Sequence, residues 1–306
     1  MKILNSQFSI FNYIVAFILF LVASCEKEII VDQLPYETRV SIQCALEVGE
    51  PPVLYLYHTA PYFEQANLES LFVSDAVVVI SNSESEETLV VDREYDFIKC
   101  EYRYFYKGHT PVVANMKYDL RIVWDGKTYT ASTVTDLVPV LLDRVEHADE
   151  FFDVYGGHEG IIPVFRDLAN RTNYYRYEMY LEVDTTMNHA DGAIHSPCLG
   201  SGSAMVYELS RSVYSNINFD PGDEIKIVIE PAYEGAEEGI VRIQTIDKNI
   251  YDFFEQLDRQ KLSQRNPFVE PVFLKSAQFG DAAIGYFGAM VRSNPVLFVF
   301  PEEWWK

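Results

Sequence analysis

The chain has 306 residues, with 24 lysines and arginines against 46 aspartates and glutamates, a formal net charge of −22. That balance excludes nucleic acid as a partner, since phosphate binding needs clustered basic residues, and it excludes adhesion to anionic headgroups through protein charge. Hydrophobic residues make up 48% of the chain, too many for a disordered stalk.

The N-terminus reads as a targeting segment. Lys2 gives a weak positive start, an apolar run extends from Tyr13 to Ala23, and Val22-Ala23-Ser24-Cys25 closes it. Small residues before a cysteine resemble a bacterial lipoprotein signal, cleaved after residue 24 and acylated at Cys25. An uncleaved membrane span needs roughly 20 apolar residues, and Asn12 interrupts this one. Removing residues 1–24 takes away one lysine and no acid, so the mature body carries 23 basic and 46 acidic residues. Several acyl chains at Cys25 anchor it stably where one would not. Glu26-Lys27-Glu28 resembles the surface-export signal of Bacteroidota lipoproteins, and residues 25–35 read as a tether ending at Pro35.

Strand-like alternation then begins. Thr38 to Leu46 and Val53 to His58 flank the turn Glu50-Pro51-Pro52; Asp75 to Ser81 is a buried strand, Ser81 to Thr88 a polar loop, and Ile98 to Lys107 alternates aromatic with charged residues. The clearest signal is a hairpin over Lys117 to Thr135. Leu120, Ile122 and Trp124 share a face, Asp125-Gly126 supplies the turn, and Tyr129, Ala131 and Thr133 alternate on the return. This spacing predicts an antiparallel sandwich of immunoglobulin or transthyretin type at 36–138.

Leu137 to Leu141, containing Pro139, reads as a domain connection. A second β-rich domain is expected at 139–306, with strands over Leu142 to His147, Ile161 to Phe165, Asn173 to Asp184, Glu224 to Pro231, Gly239 to Thr245 and Val296 to Phe300. In the 173–184 strand, Tyr175, Tyr177, Met179, Leu181 and Val183 form a core face, while Arg176, Glu178, Tyr180, Glu182 and Asp184 form a wet one. Residues 185–203 read as a long polar loop. From Asp247 to Gln264 the period changes: Ile250, Phe253, Phe254, Leu257 and Leu262 recur every three to four residues, an amphipathic helix with Asp247 as N-cap and its stripe on the second sheet. The fold expected is therefore mainly all-β, two antiparallel sandwich-like domains with one helix in the second.

Cys44 and Cys100 alternate with apolar and aromatic neighbours and read as plain buried thiols; a Cys44–Cys100 bridge is the alternative in an oxidising compartment, and Cys198 reads as exposed in its loop. His189, Asp191 and His195 share a loop, but their spacing matches no zinc pattern. Gly200-Ser201-Gly202-Ser203-Ala204 lacks the order of a nucleophile elbow, and His158-Glu159 lacks the second histidine of a zincin helix. Acidic runs at Glu84 to Glu87 and Asp149 to Asp153 lack the ligand order of a calcium loop. Trp304-Trp305 reads as a cap on the apolar edge of the second domain, with stacking on a sugar or peptide as the alternative. No catalytic residue, metal or cofactor is expected.

The last third carries Asn266-Pro267-Phe268-Val269-Glu270-Pro271-Val272, then Ile284-Gly285-Tyr286-Phe287-Gly288-Ala289. Together with Cys25, Glu47 to Pro52, Gly126-Lys127-Thr128-Tyr129 and Asn173-Tyr174-Tyr175-Arg176, these runs resemble a Bacteroidota lipoprotein family, domain of unknown function 4249. The sequence departs from the family pattern at Ser276 to Gly280. Physically, the prolines bracket an extended segment, and Gly285 and Gly288 imply a close backbone approach between sheets. The resemblance implies a surface lipoprotein encoded beside TonB-dependent outer-membrane transporters, and it carries over no catalytic residue. The function expected is a non-enzymatic, lipid-anchored outer-membrane accessory that binds a nutrient or docks on such a transporter. A surface hydrolase and a purely structural envelope protein are the alternatives.

Overall fold

The computed structural model describes residues 37–301, apart from 62–65, 98, 154–155, 169–170, 185–197, 199–202, 210–211, 221, 230–237, 266–267, 269 and 271. The expected leader, Cys25 and the tether lie outside these residues. From Thr38 onward the chain is one compact unit. It is mostly β. The first half gives β1 (Val40–Glu47), β2 (Val53–His58), β3 (Val77–Ser81), β4 (Glu86–Thr88), β5 (Val90–Asp96), β6 (Glu101–Lys107), β7 (Lys117–Trp124) and β8 (Lys127–Val134). The second gives β9 (Leu142–Asp153), β10 (Gly156–Arg166), β11 (Tyr174–Asp184), β12 (Ser203–Leu209), β13 (Tyr214–Ser215), β14 (Glu224–Lys226), β15 (Glu238–Ile246), β16 (Ala283–Arg292) and β17 (Val296–Val299). Two α-helices accompany them, the single turn α1 (Leu68–Leu71) and the long α2 (Lys248–Arg265).

The expected hairpin forms as read. β7 and β8 pair from Lys117 with Val134 to Trp124 with Lys127. Asp125 (φ 48°) and Gly126 (φ 70°) both take the positive φ that a type I′ turn requires. The 81–88 segment, expected as a loop, contains β4, which pairs with β3. β5 escapes sequence reading because Asp92-Arg93-Glu94 interrupts its apolar residues, yet it pairs along its whole length with β6.

Ten strands form one long sheet, in the order β12-β11-β15-β16-β1-β2-β6-β5, with β13 and β17 pairing on β11 and β15. The long sheet runs across the boundary expected at 138/139, and the first of the two cores takes Phe279, Ala283 and Phe287 from beyond it. β16 pairs with β1 in parallel, Val40 opposite Ala283 through Glu47 opposite Met290. The segment Ile284 to Ala289, whose glycines are expected at a close approach between sheets, is thus part of a central strand. One face of the long sheet is covered twice. Ile42, Cys44, Leu46, Leu54 and Phe287 meet Val78, Leu120 and Ile122 of the four-stranded sheet β4-β3-β7-β8. Farther along, Tyr175, Met179, Leu181 and Ile243 meet Ile161, Phe165 and Ile225 of the sheet β14-β10-β9. Two sandwiches thus share a sheet, and each fully buried side chain of this size contributes about 1.5–3 kcal/mol.

The opposite face receives α2. Ile250, Phe253 and Phe254 pack with Ile246, Tyr286 and Met290, so the helix lies on the shared sheet over β16 rather than on a sheet of the second half alone. Asp247 caps it as expected, its Oδ1 accepting from Ile250 N at 3.0 Å, while its Oδ2 accepts from Thr133 Oγ1 of β8 at 2.6 Å. A Cβ on Gly288 would stand 2.5 Å from Asp247 Oδ1 and from Ile250 Cγ1. The close approach expected at this glycine is real, and it is to the helix start rather than to another sheet.

Candidate functional site

Beside α2, on the same face, lies a cavity of about 620 Å³. Register explains how seven strands contribute to it. Arg176 of β11 stands opposite Gln244 of β15, and Gln244 opposite Arg292 of β16. Gln43 of β1 stands opposite both Tyr286 and Tyr55. Paired residues project to the same side, so the basic rung Arg176–Gln244–Arg292 and the aromatic pair Tyr55 and Tyr286 line one continuous wall. Tyr207 and Leu209 of β12 extend it on one side, and Lys107 of β6 on the other. Glu47 and Glu50 sit at the end of β1.

A buried carboxylate organises this wall. Glu178 is fully buried. Its Oε2 accepts from Gln244 Nε2 at 2.6 Å and from Tyr207 OH at 2.9 Å; its Oε1 accepts from Arg292 Nε at 2.7 Å and faces Arg242 at 3.8 Å. Arg292 also pairs with Glu47. A carboxylate buried this deeply persists because donors fill its lone-pair sites. Burial pushes the Glu178 carboxyl upward, against the pull of Tyr207 and Gln244 and of the nearby arginines. All its strong acceptor positions are engaged, which makes it a structural anion rather than a proton acceptor for a bound molecule.

Arg176 is 5% exposed and its guanidinium stacks on the Phe254 ring at 3.8 Å from the centroid. Burial lowers its pKa to about 10, with Tyr286, Tyr207, Asp258 and Glu178 acting in the opposite sense. Tyr286 is pushed up to about 12, chiefly by burial. At neutral pH the site therefore holds charged arginines beside neutral phenols.

Of the strand face expected to be wet, Arg176 and Glu178 are in fact buried, whereas Tyr180 is half-buried and Glu182 is exposed. Alternation along β11 separates the two faces correctly but does not reveal that α2 and the neighbouring strands cover the second one at Arg176 and Glu178. The signal that would have found the site is the recurrence of Arg or Gln at matched positions on three adjacent strands, which needs the register. The neighbouring run Asn173-Tyr174-Tyr175-Arg176 divides its labour. Asn173 Nδ2 donates to Asp167 at 3.0 Å and Tyr175 OH donates to the same carboxylate, which also takes Asn216 Nδ2 at 2.8 Å. That knot fixes the start of β11 and so the position of Arg176.

Cys100, expected as a buried thiol or as a partner for Cys44, forms a disulfide with Cys198, with Cα atoms 5.7 Å apart. Cys44 is the buried free thiol. Alternation placed Cys44 in the core correctly, but Cys100 lies in the turn after β5 with a positive φ, so its apparent alternation with Tyr102 and Tyr104 does not carry through. Cys25, His189, Asp191 and His195 lie outside the described residues, as do Pro267, Pro271, Trp304 and Trp305. Phe268 is described and is 95% exposed. Among the described residues no three His, Cys, Asp or Glu side chains converge as a metal site, and no helix is long and apolar enough to cross a membrane.

No curated protein matches the chain. A family profile matches residues 26–294, a span that takes in the cavity, the disulfide and the 266–272 and 284–289 runs on which the resemblance rested. The chain belongs to the family described as Domain of unknown function (DUF4249).

Proposed function

We propose that this protein is a lipid-anchored, non-enzymatic accessory of the outer membrane, facing the cell exterior, that holds a small ligand in the cavity beside α2 and presents it to a TonB-dependent transporter. The cavity carries the reading. Its volume of about 620 Å³ lies within the roughly 300–1,000 Å³ range of small-molecule sites, and its wall combines aromatic surface with a few fixed polar groups, as such sites do. Glu178 and Glu47 are spent on protein donors, which favours binding over acid–base chemistry. The Cys100–Cys198 disulfide supports an exported, oxidising location. Small residues before Cys25 support the anchor.

The test is isolation of the tagged full-length protein from detergent-solubilised outer membranes, with mass spectrometry of its N-terminal peptide and of any small molecule released on denaturation. A lipid-modified Cys25 and co-recovery of a transporter or a released ligand are expected. An unmodified N-terminus, or recovery with neither partner nor ligand, overturns the proposal.

A further inference from the structure

The neutral polar groups that open into the cavity go further and indicate what it holds. We infer that its ligand is a neutral saccharide, with ring hydroxyls on Gln244, Gln43 and Tyr286 and its apolar C–H surface against Tyr55. This inference rests on reading the cavity as a binding site.

The inner charges of the wall are already engaged. Arg292 pairs with Glu47 and with Glu178. Arg176 lies on the Phe254 ring at 3.8 Å and is acted on by Asp258 of α2 as well as by Glu178. Lys107 and Glu50, one of each sign, are exposed at the rim, where water and salt screen them. A net charge carried inward would therefore meet charges matched within the wall, and burying it unpaired is costly. The ligand that fits is neutral.

The uncharged groups stand differently. Tyr286 is 8% exposed and Gln244 is 2% exposed. Gln244 spends its Nε2 on Glu178 at 2.6 Å, which orients the amide and leaves Oε1 as an acceptor. Among the described residues neither that oxygen nor the Tyr286 hydroxyl has a hydrogen-bond partner, and neither is sealed in the interior, so both open to the cavity they line. Gln43, opposite Tyr286 in register, makes one long contact of 3.4 Å from Nε2 to Ser41 Oγ, and its Oε1 is a third oxygen of the same wall. A purely apolar ligand would strand these groups away from water. Hydroxyls both donate and accept, and hydroxyls spread around a puckered ring reach acceptors on the separate strands β1, β15 and β16. A planar heterocyclic base donates only in its own plane.

Tyr55 supplies the surface for the ring. It is half-buried in the lining, held edge to face by Phe105 at 5.8 Å and hydrogen-bonded by Arg103. An aromatic ring fixed in this way loses little freedom when a ligand packs on it, and Val53 and Ile250 continue the apolar surface.

The test is titration calorimetry on the full-length protein, in a detergent without a sugar headgroup and in mildly acid buffer. The probes are galactose and glucose, the uronic acid and the 2-amino derivative of each, and adenine. At least one neutral hexose is expected to bind, about tenfold or more tighter than its anionic and cationic counterparts, the effect of an unmatched buried charge. Y286F removes a hydroxyl that holds no described protein group, so it should weaken that hexose about threefold to tenfold and leave the melting temperature unchanged. Should Y286F fail to fold, Q43L must weaken the hexose in the same sense. Binding of a charged derivative as tight as that of its neutral parent, or of adenine in place of every sugar, overturns the saccharide inference while leaving the cavity as a binding site. A hexose affinity untouched by Y286F and by Q43L overturns the assigned contacts. Failure of all the probes to bind the folded protein at millimolar concentration removes both the inference and the binding site.

Discussion

At Gly285, the third residue of β16, the backbone takes φ +118°, and a Cβ there would stand 1.8 Å from the carbonyl oxygen of Ile42 on the parallel neighbour β1. Both the conformation and the space demand glycine. Gly285→Ala is expected to cost about 3 kcal/mol or more, combining left-handed strain with a backbone clash, and a urea melt showing less than 1 kcal/mol would refute the parallel pairing as described. Glu87 gives a milder case with a pH signature. Burial alone would raise its pKa, but the backbone N–H groups of His109 (2.6 Å) and Thr110 (3.2 Å) donate to it and hold it below the usual glutamate value. A depressed carboxylate pKa stabilises the fold above that value and loses the contribution as the pH falls through the folded pKa. Glu87→Gln should therefore destabilise by about 1 kcal/mol at neutral pH, and urea titrations at pH 7 and pH 3 should show the gap closing in acid. Neither residue was legible as such in the sequence. Glycine in a strand-like run gives a turn signal as readily as a close approach, and Glu87 reads as one more solvated acid until the 108–110 turn folds back onto it. Arg176 and Glu178 were legible as a pair sharing a strand face, and illegible as a buried site, since the groups that cover them come from residues 207, 244, 254 and 292.

Single elements were readable in proportion to how local their causes are. The helix α2 was expected over 247–264 and spans Lys248–Arg265, because its apolar stripe and its cap are both written within eighteen residues. The β7–β8 hairpin was equally plain, since its turn residues and alternation are adjacent. β16 was not, because its partner β1 lies more than two hundred residues away and nothing local distinguishes a central strand with two glycines from a loop. What ties α2 to the rest is Asp247, which caps the helix through Ile250 N and accepts from Thr133 across the sheet. Burial raises its pKa, and the hydrogen bonds from Thr133, Ile250, Ala289 and Asn249 oppose the rise, so much of its value is as an acceptor rather than as a charge. Asp247→Ala is expected to cost about 1–2 kcal/mol, the usual loss for a helix cap, and Asp247→Asn, which keeps an acceptor oxygen, less than half of that. Chemical denaturation of the two variants decides the point; equal losses would mean that the charge, not the cap, is what the helix start requires.

Across the molecule, two sandwiches are organised by one shared sheet, and the cavity lies on the face the sandwiches leave to α2. The sequence shows the two cores as two alternating series, which is why a boundary at 138/139 suggests itself; the sharing depends on β16 returning to β1, a long-range pairing that costs chain entropy before any contact repays it. The disulfide has the same character. Cys100 follows β5 and Cys198 lies between β11 and β12, so the bond joins hairpins at the two ends of the strand order β12-β11-β15-β16-β1-β2-β6-β5. Tyr95 OH, on β5, lies 3.0 Å from the Cys198 sulfur. A crosslink across 98 residues removes loop entropy from the unfolded chain, worth typically about 2–4 kcal/mol and mainly felt in the denatured state. Cys198→Ser is therefore expected to lower the melting temperature of the oxidised protein, and reductant should bring the wild type down to the variant without affecting the variant itself. Cys44, buried and with its thiol pushed far up by desolvation, should resist alkylation until the protein is denatured. Proteolytic mapping without reductant provides the direct check: a linked Cys100–Cys198 peptide supports the shared-sheet arrangement, and a Cys44–Cys100 peptide would break it, because Cys44 belongs to the interior of the first sandwich and cannot reach the β5–β6 turn without dismantling that core.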